Sequence, residues 1–194
     1  MFGKRISYTR TGTSVDLDNV VSVAELKNFL RIEHSADDTL LSHIRAAAVA
    51  YVEEYTNTAI GNNTFVGYAP NWSPVALPVG PVTEVSAVAY LANNGGTYTD
   101  LGTGFYFTDT DARPARIRFV DAPTLADDEL NRVKITWRGG YADTAVPSTI
   151  VHAIYMLAAN MYEQRQPEVV GTISSATQFG VAALLAPHRI IYAQ

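Results

Sequence analysis

The chain has 194 residues, no cysteine, a formal net charge of −5, 47% hydrophobic residues and 17% charged ones. Disulfides, thiolate zinc sites and cysteine nucleophiles are therefore excluded, and a general nucleic-acid binder, which needs a basic face to displace counterions, is disfavoured. The charged fraction lies below the usual quarter of a soluble domain, which suggests a surface partly covered by partners, and the length suits one domain carrying an insertion.

Residues 1–19 are polar, rich in Ser and Thr and without a sustained period. They read as an N-terminal arm, loosely held or lying on a neighbouring subunit. Ser22-Val23-Ala24-Glu25 fits the S-x-x-E capping box and opens a helix predicted over about 22–31, with Val23, Leu26, Phe29 and Leu30 on one face. Ser35 can cap a second helix over about 36–56, with Asp37 and Asp38 in its first turn, where carboxylates favour the helix dipole. Leu40, Leu41, Ile44, Ala47, Ala48, Tyr51, Val52 and Tyr55 form its apolar stripe.

Over 61–144 the period changes to two, which predicts an inserted antiparallel β unit of five or six strands. Its cleanest strand places Val133, Ile135 and Trp137 on one side and Lys134, Thr136 and Arg138 on the other. Asn93-Asn94-Gly95-Gly96 reads as a hairpin turn, and 121–131 as a long polar connection. Gly139, Gly140 and Tyr141 let the chain leave the insertion sharply, and Pro147 starts the next helix, so these four residues read as a hinge.

The third helix is predicted over about 147–165 and is apolar on nearly every face. Ile150, Ile154, Leu157 and Met161 form one stripe, and Val151, Tyr155, Ala158 and Tyr162 a second. Val151, Tyr155, Met161 and Tyr162 are candidates for either core or subunit interface, since an all-round apolar helix is buried on several sides. Pro167 ends the helix, 167–176 reads as a loop, and a short helix follows over about 177–186. The tail 187–194 is too apolar to hang in water. The fold class is α+β: a small helical bundle from 20–60 and 145–186, interrupted by the β insertion.

The search for chemistry finds none. His34, His43, His152 and His188 lack i,i+4 spacing, and no H-E-x-x-H occurs. Asp109 with Asp111, and Asp127 with Asp128 and Glu129, lack the glycine and closing glutamate of a calcium loop and read as solvated turn acids. Gly102 and Gly104 precede a strand rather than a helix, so the dinucleotide fingerprint fails its context. P-loop and G-x-S-x-G motifs are missing. No catalytic, cofactor-binding or metal-binding residue is expected, and the chain does not read as an enzyme. No apolar run reaches the ~18–20 residues that span a bilayer, and the N-terminus lacks the apolar core of a secretory signal, so a soluble, intracellularly made protein is expected.

Four stretches, in this order, resemble the head–tail connector (adaptor) proteins of long-tailed double-stranded DNA phages, in the branch with a β insertion between two helix pairs. "VSVAELKNFLRIEHSADDTLLSHIRAAAVAYVEEYTNTAI" resembles that family's opening V-[ST]-x-x-E-x-K-x-x-L-R segment and D-D-x-x-[IL] helix. "LPVGPVTEVSAVAYL" resembles its Pro-flanked strand. "ITWRGGYADTAVPSTIVHAIYMLAANMYEQR" resembles its G-Y-x-[DN]-x-x-x-V-P-x-x-[IL] junction, and "VAALLAPHRI" its closing L-L-x-P-Y-R, with His188 where Tyr is usual. The resemblance covers roughly 20–192; the 1–19 arm is longer than in the family, and 167–176 departs from it.

The resemblance implies a homo-oligomeric ring, most often a dodecamer, in the virion neck beneath the portal protein, assembled in the host cytoplasm. Such a ring extends the channel for double-stranded DNA, which passes without specific binding, and docks a downstream stopper or tail-completion protein. The family's use of its C-terminus points to Pro187, His188, Arg189, Ile190, Ile191 and Tyr192 as the portal-binding tail. Another neck part, such as a tail-completion or stopper protein, remains open, as does a small hydrolase or ligand-binding module, because fold alone does not define function. The first would bind tail proteins and not the portal; the second would show a deep pocket with convergent polar groups.

Overall fold

The computed structural model describes residues 4–12, 16–94, 96–142, 145–164 and 175–192. Gly95 of the expected hairpin turn, Pro167 and most of the 167–176 loop lie outside them. The chain forms two compact units: Met1–Ser14 with Gly61–Tyr141 and Ile190–Gln194, and Val15–Ile60 with Ala142–Arg189.

The second of these is helical: α1 (Val23–Leu30), α2 (Asp38–Thr56), α3 (Ser148–Glu163) and α4 (Ser175–Leu185). α3 packs along α2 and α4, and α1 rests against both α2 and α3. Leu26, Leu41, Ala48, Val52, Ile150, Ala153, Ile154, Ala158 and Leu185 are wholly buried. The capping box at α1 is complete, with the Glu25 amide donating to Ser22 Oγ at 3.1 Å and the Ser22 amide to Glu25 Oε2 at 3.0 Å.

These bonds hold the Glu25 carboxyl below the ordinary carboxylate range, the Ser22 backbone amide contributing most. A carboxyl depressed in this way adds stability above its unfolded pKa and loses it as pH falls through the folded one. Ser22→Ala should therefore cost about 1 kcal/mol near neutrality, and less near pH ~3, in paired urea titrations.

α2 starts later than its sequence suggests. Its N-cap is Asp37, without a side-chain cap, because that carboxylate accepts the Tyr162 hydroxyl at 2.6 Å instead. Ser35 contributes only its carbonyl, to the Asp38 amide. Arg45, on the inner face of α2, is buried; it pairs with Asp18 and donates to the Val21 carbonyl at 2.9 Å. This anchors the 3-10 turn Leu17–Asn19.

Among the described residues the other unit holds nine strands: β1 (Lys4–Arg5), β2 (Ser7–Arg10), β3 (Asn63–Ala69), β4 (Val75–Ala76), β5 (Val82–Tyr90), β6 (Thr99–Asp100), β7 (Tyr106–Asp109), β8 (Arg116–Phe119) and β9 (Val133–Gly139); the last seven fall in 61–144, where five or six were expected. Their order is β2-β3-β9-β5-β6 in one sheet and β1-β4-β8-β7 in the other. All pairs are antiparallel except β1 with β4. Lys4–Arg5 and Ser7–Arg10, within the stretch read as a loosely held arm, thus pair into the sheets.

β9 keeps the alternation expected of it, with Val133, Ile135 and Trp137 wholly buried. Trp137 stands opposite Phe65 in register and stacks on it with centroids 5.5 Å apart. Gly67 is small by necessity: a Cβ there would come within 2.6 Å of Ile6 Cδ1 and 2.9 Å of the Trp137 ring. The turn around Asn93 is not a tight hairpin, since β5 ends at Tyr90 and β6 begins at Thr99.

Candidate assembly site

The residues predicted to act in assembly fall in three places. The tail is the first. Pro187 and His188 lie in a 3-10 turn, Ala186–His188, that continues α4. His188 Nε2 hydrogen-bonds Thr149 Oγ1 at 2.7 Å, and the Arg189 guanidinium covers the Tyr55 ring at 5.2 Å. Ile190 is buried beside Gly80, where a Cβ would meet its Cδ1 at 3.0 Å. The Tyr192 hydroxyl donates to the Leu77 carbonyl at 3.2 Å. Ile191 alone of the tail's large apolar side chains points outward, 70% exposed. The tail does not hang free: Ile190 and Tyr192 pack on the chain's own residues and Ile191 is left in solvent.

α3 is the second place. Its core face is Ile150, Ala153, Ile154 and Ala158, while Val151, Tyr155, Met161 and Tyr162 are half-buried. Tyr155 stacks on Phe29 at 5.3 Å. Burial pushes its phenol pKa upward, with Glu25 adding to the effect through its charge and a hydrogen bond. Tyr162 is held by Asp37. Leu157 and Met161 stay half-buried where the sequence pattern grouped them with Ile150 and Ile154.

The third is the stretch read as a hinge. Gly139 ends β9, Gly140 has φ 115, and its amide donates to the Pro81 carbonyl at 2.7 Å. Only glycine adopts that φ cheaply. Tyr141 is buried, and Pro147 stands at the N-cap of α3, one residue earlier than expected.

Among the described residues, no group of three or more His, Asp or Glu side chains is placed to hold a metal ion, and no helix is long and apolar enough to cross a membrane. Two surface depressions of about 440 and 220 Å³ lie on the β unit. The groups with shifted titration, Glu25, Tyr98, Tyr106 and Tyr155, line neither.

Residues 20–94 match the family described as phage gp6-like head-tail connector protein. Over the whole chain, the structure is similar to a protein in the neck of an empty gene transfer agent particle computed with C6 symmetry. That match has 25% identity and TM-score 0.76, covering 96% of this chain and 97% of the other. The family match spans less than half of the chain, and the fold match spans nearly all of it. Two further structures share its fold at 24% identity over 96% of this chain and 97% of each neighbour. They are the neck of a native gene transfer agent particle computed with C12 symmetry, TM-score 0.73, and the virion of the native particle, TM-score 0.76. No curated protein sequence matches the chain. The family match covers α1, α2, β3, β4 and β5; the fold match extends the likeness through α3, α4 and the tail.

Sequence reasoning missed two surfaces that the fold creates. Phe107, 66% exposed, and Leu130, 85% exposed, stand among charged residues on the β unit. Both occur in short or irregular segments whose sidedness no period reveals.

Proposed function

We propose that this chain is a head–tail connector, the subunit of a twelve-membered ring that sits beneath the portal in the neck of a phage-like particle. There it extends the DNA channel and presents a docking surface to a stopper or tail-completion protein. The observation that carries the reading is the near full-length likeness to a neck protein in particles treated with C6 and C12 symmetry. A twelve-fold ring satisfies both, because six-fold rotations are a subset of twelve-fold ones. The role is structural, without catalysis. The net charge of −5 suits a channel past which duplex DNA slides without being held. Assembly takes place in the host cytoplasm. Electron microscopy of the connector mixed with its portal tests this: an added symmetric ring is expected, and binding to tail proteins with none to the portal would overturn it.

Within this reading the tail Pro187–Tyr192 contacts the portal, and Ile191 carries the contact. Its exposed side chain is of the kind that anchors an interface when it fills a pocket. Deleting 187–194 is a poor test, since it also removes Ile190 and Tyr192 from the connector's own packing. Ile191→Asp is the cleaner variant. It should weaken portal binding by tenfold or more, roughly the cost of burying a carboxylate in an apolar contact, with the melting temperature unchanged. Portal binding at wild-type strength, measured by co-sedimentation, would remove Ile191 from the interface.

A further inference from the structure

β7 is an outer strand of the sheet β1-β4-β8-β7 and pairs on one side with β8. Just before it, the Val120 amide donates to the Phe105 carbonyl at 2.9 Å, which fixes the alternation of this antiparallel ladder. Phe107 and Asp109, in step with Phe105, turn their backbone groups toward β8, while Tyr106 and Thr108 turn theirs away from it. Among the described residues no further strand pairs with β7, and Thr108 is exposed. An open edge of this kind is a template for another extended chain.

The side chains around this edge define what such a chain would carry. Register puts Phe107 opposite Arg118 on one face of the β7–β8 hairpin. Phe107 is 66% exposed, and Arg118 is exposed beside it, as is Arg113 in the hairpin loop. The larger depression, about 440 Å³, opens here, lined among others by Pro74, Val75, Phe107, Thr108, Ile117 and Arg118. Asp109 is already occupied: it stands opposite Arg116, and its Oδ1 accepts the Ala112 amide at 3.1 Å. Over 106–119 three arginines are offset by Asp109 and Asp111, too small an excess of positive charge for a duplex, whose binding needs a basic face. An exposed aromatic ring, apolar walls and two guanidinium groups fit a protein segment that bears both apolar side chains and carboxylates.

We infer that β7 docks an extended, acidic segment of the next neck component as an added strand, with an apolar side chain laid against Phe107 and carboxylates within reach of Arg118 and Arg113. The backbone groups of Tyr106 and Thr108 supply the pairing, whatever the sequence of the incoming strand, and the side chains select which strand is accepted. The aromatic ring is the anchor, and the guanidinium groups fix orientation and register. The inference rests on the neck reading above and adds to it the surface that docks and the chemistry of what it docks.

The probe is a short capped peptide of alternating valine and glutamate, titrated into the isotope-labelled full chain and followed by nuclear magnetic resonance. The Tyr106 and Thr108 amide signals should move, and the counterpart with lysine for glutamate should bind about tenfold more weakly. Thr108→Pro removes only an outward N–H, which an edge strand tolerates, and should weaken the valine–glutamate peptide about tenfold. Thr108→Val keeps that N–H and should bind as the wild type does. Arg118→Glu should abolish the preference for glutamate over lysine. Shifts confined to other strands, equal binding of the two peptides by the wild type, or displacement of the peptide by a random-sequence DNA duplex would overturn the edge contact. In particles, Thr108→Pro should leave the chain in the neck and lower tail attachment. Normal tail attachment to necks that hold this variant would overturn the edge contact alone, whereas necks that lack the wild-type chain would overturn the ring reading.

Discussion

Trp137→Ala is expected to destabilise the β unit by about 3–5 kcal/mol, the upper range for truncating a buried aromatic side chain. Trp137 is wholly buried at the centre of β9, between β3 and β5. Its ring stacks on Phe65 and meets Tyr8 at 6.2 Å, so truncation empties the space on both sides. The neighbours cannot close that space. Gly67 has no side chain to offer, and the Ile6 side chain already packs close to it. Trp137→Phe separates volume from polarity. The indole Nε1 is buried without a hydrogen-bond partner among the described residues. Phenylalanine removes that unpaired donor while keeping most of the ring, and should cost well under half as much as alanine. Urea unfolding followed by far-ultraviolet circular dichroism, which reports the backbone and not the substituted ring, measures both variants. A deficit below about 1 kcal/mol for Trp137→Ala would mean that the stack is not the centre of this unit.

Ile154→Ala is expected to cost about 2–5 kcal/mol in the helical unit, while Val151→Ala should cost under about 1. Both are β-branched residues of α3, three positions apart. Ile154 is wholly buried with Ile150, Ala153 and Ala158, whereas Val151 keeps part of its surface in solvent. The two substitutions divide differently between folding and assembly. Ile154→Ala should lower the melting temperature of the isolated protein. Val151→Ala should leave it nearly unchanged and, if this flank meets a neighbouring subunit, show its loss only in ring formation. Thermal unfolding and ring yield measured on the same preparations decide it. Equal melting losses for the two would make Val151 part of the core.

Much of the helical unit was legible because its signals are local. The Ser22–Glu25 capping box is complete in the structure, and α1, α2 and α3 begin within about two residues of their predicted starts. The alternation in β9 was equally readable, since a half-buried strand writes its sidedness in every second residue. The arm was not. Ser7-Tyr8-Thr9-Arg10 has all four side chains exposed, so no alternation marks it, and it is a strand because its backbone pairs with β3. The second sheet escaped for a related reason. β1 and β4 are two residues long and meet only after the chain has travelled from Lys4 to Val75.

The tail shows how the two sources of information divide. Its apolar composition said that it would be covered, but Ile190, Ile191 and Tyr192 look alike in the sequence. Only the fold turns Ile190 inward, lends Tyr192 the Leu77 carbonyl and leaves Ile191 in solvent. Local patterns of capping, periodicity and charge determined which segments are helices, which are core-facing strands, and that no reaction centre is to be expected. Which segments stand side by side was settled by pairing over long separations, because backbone hydrogen bonds carry no side-chain signature.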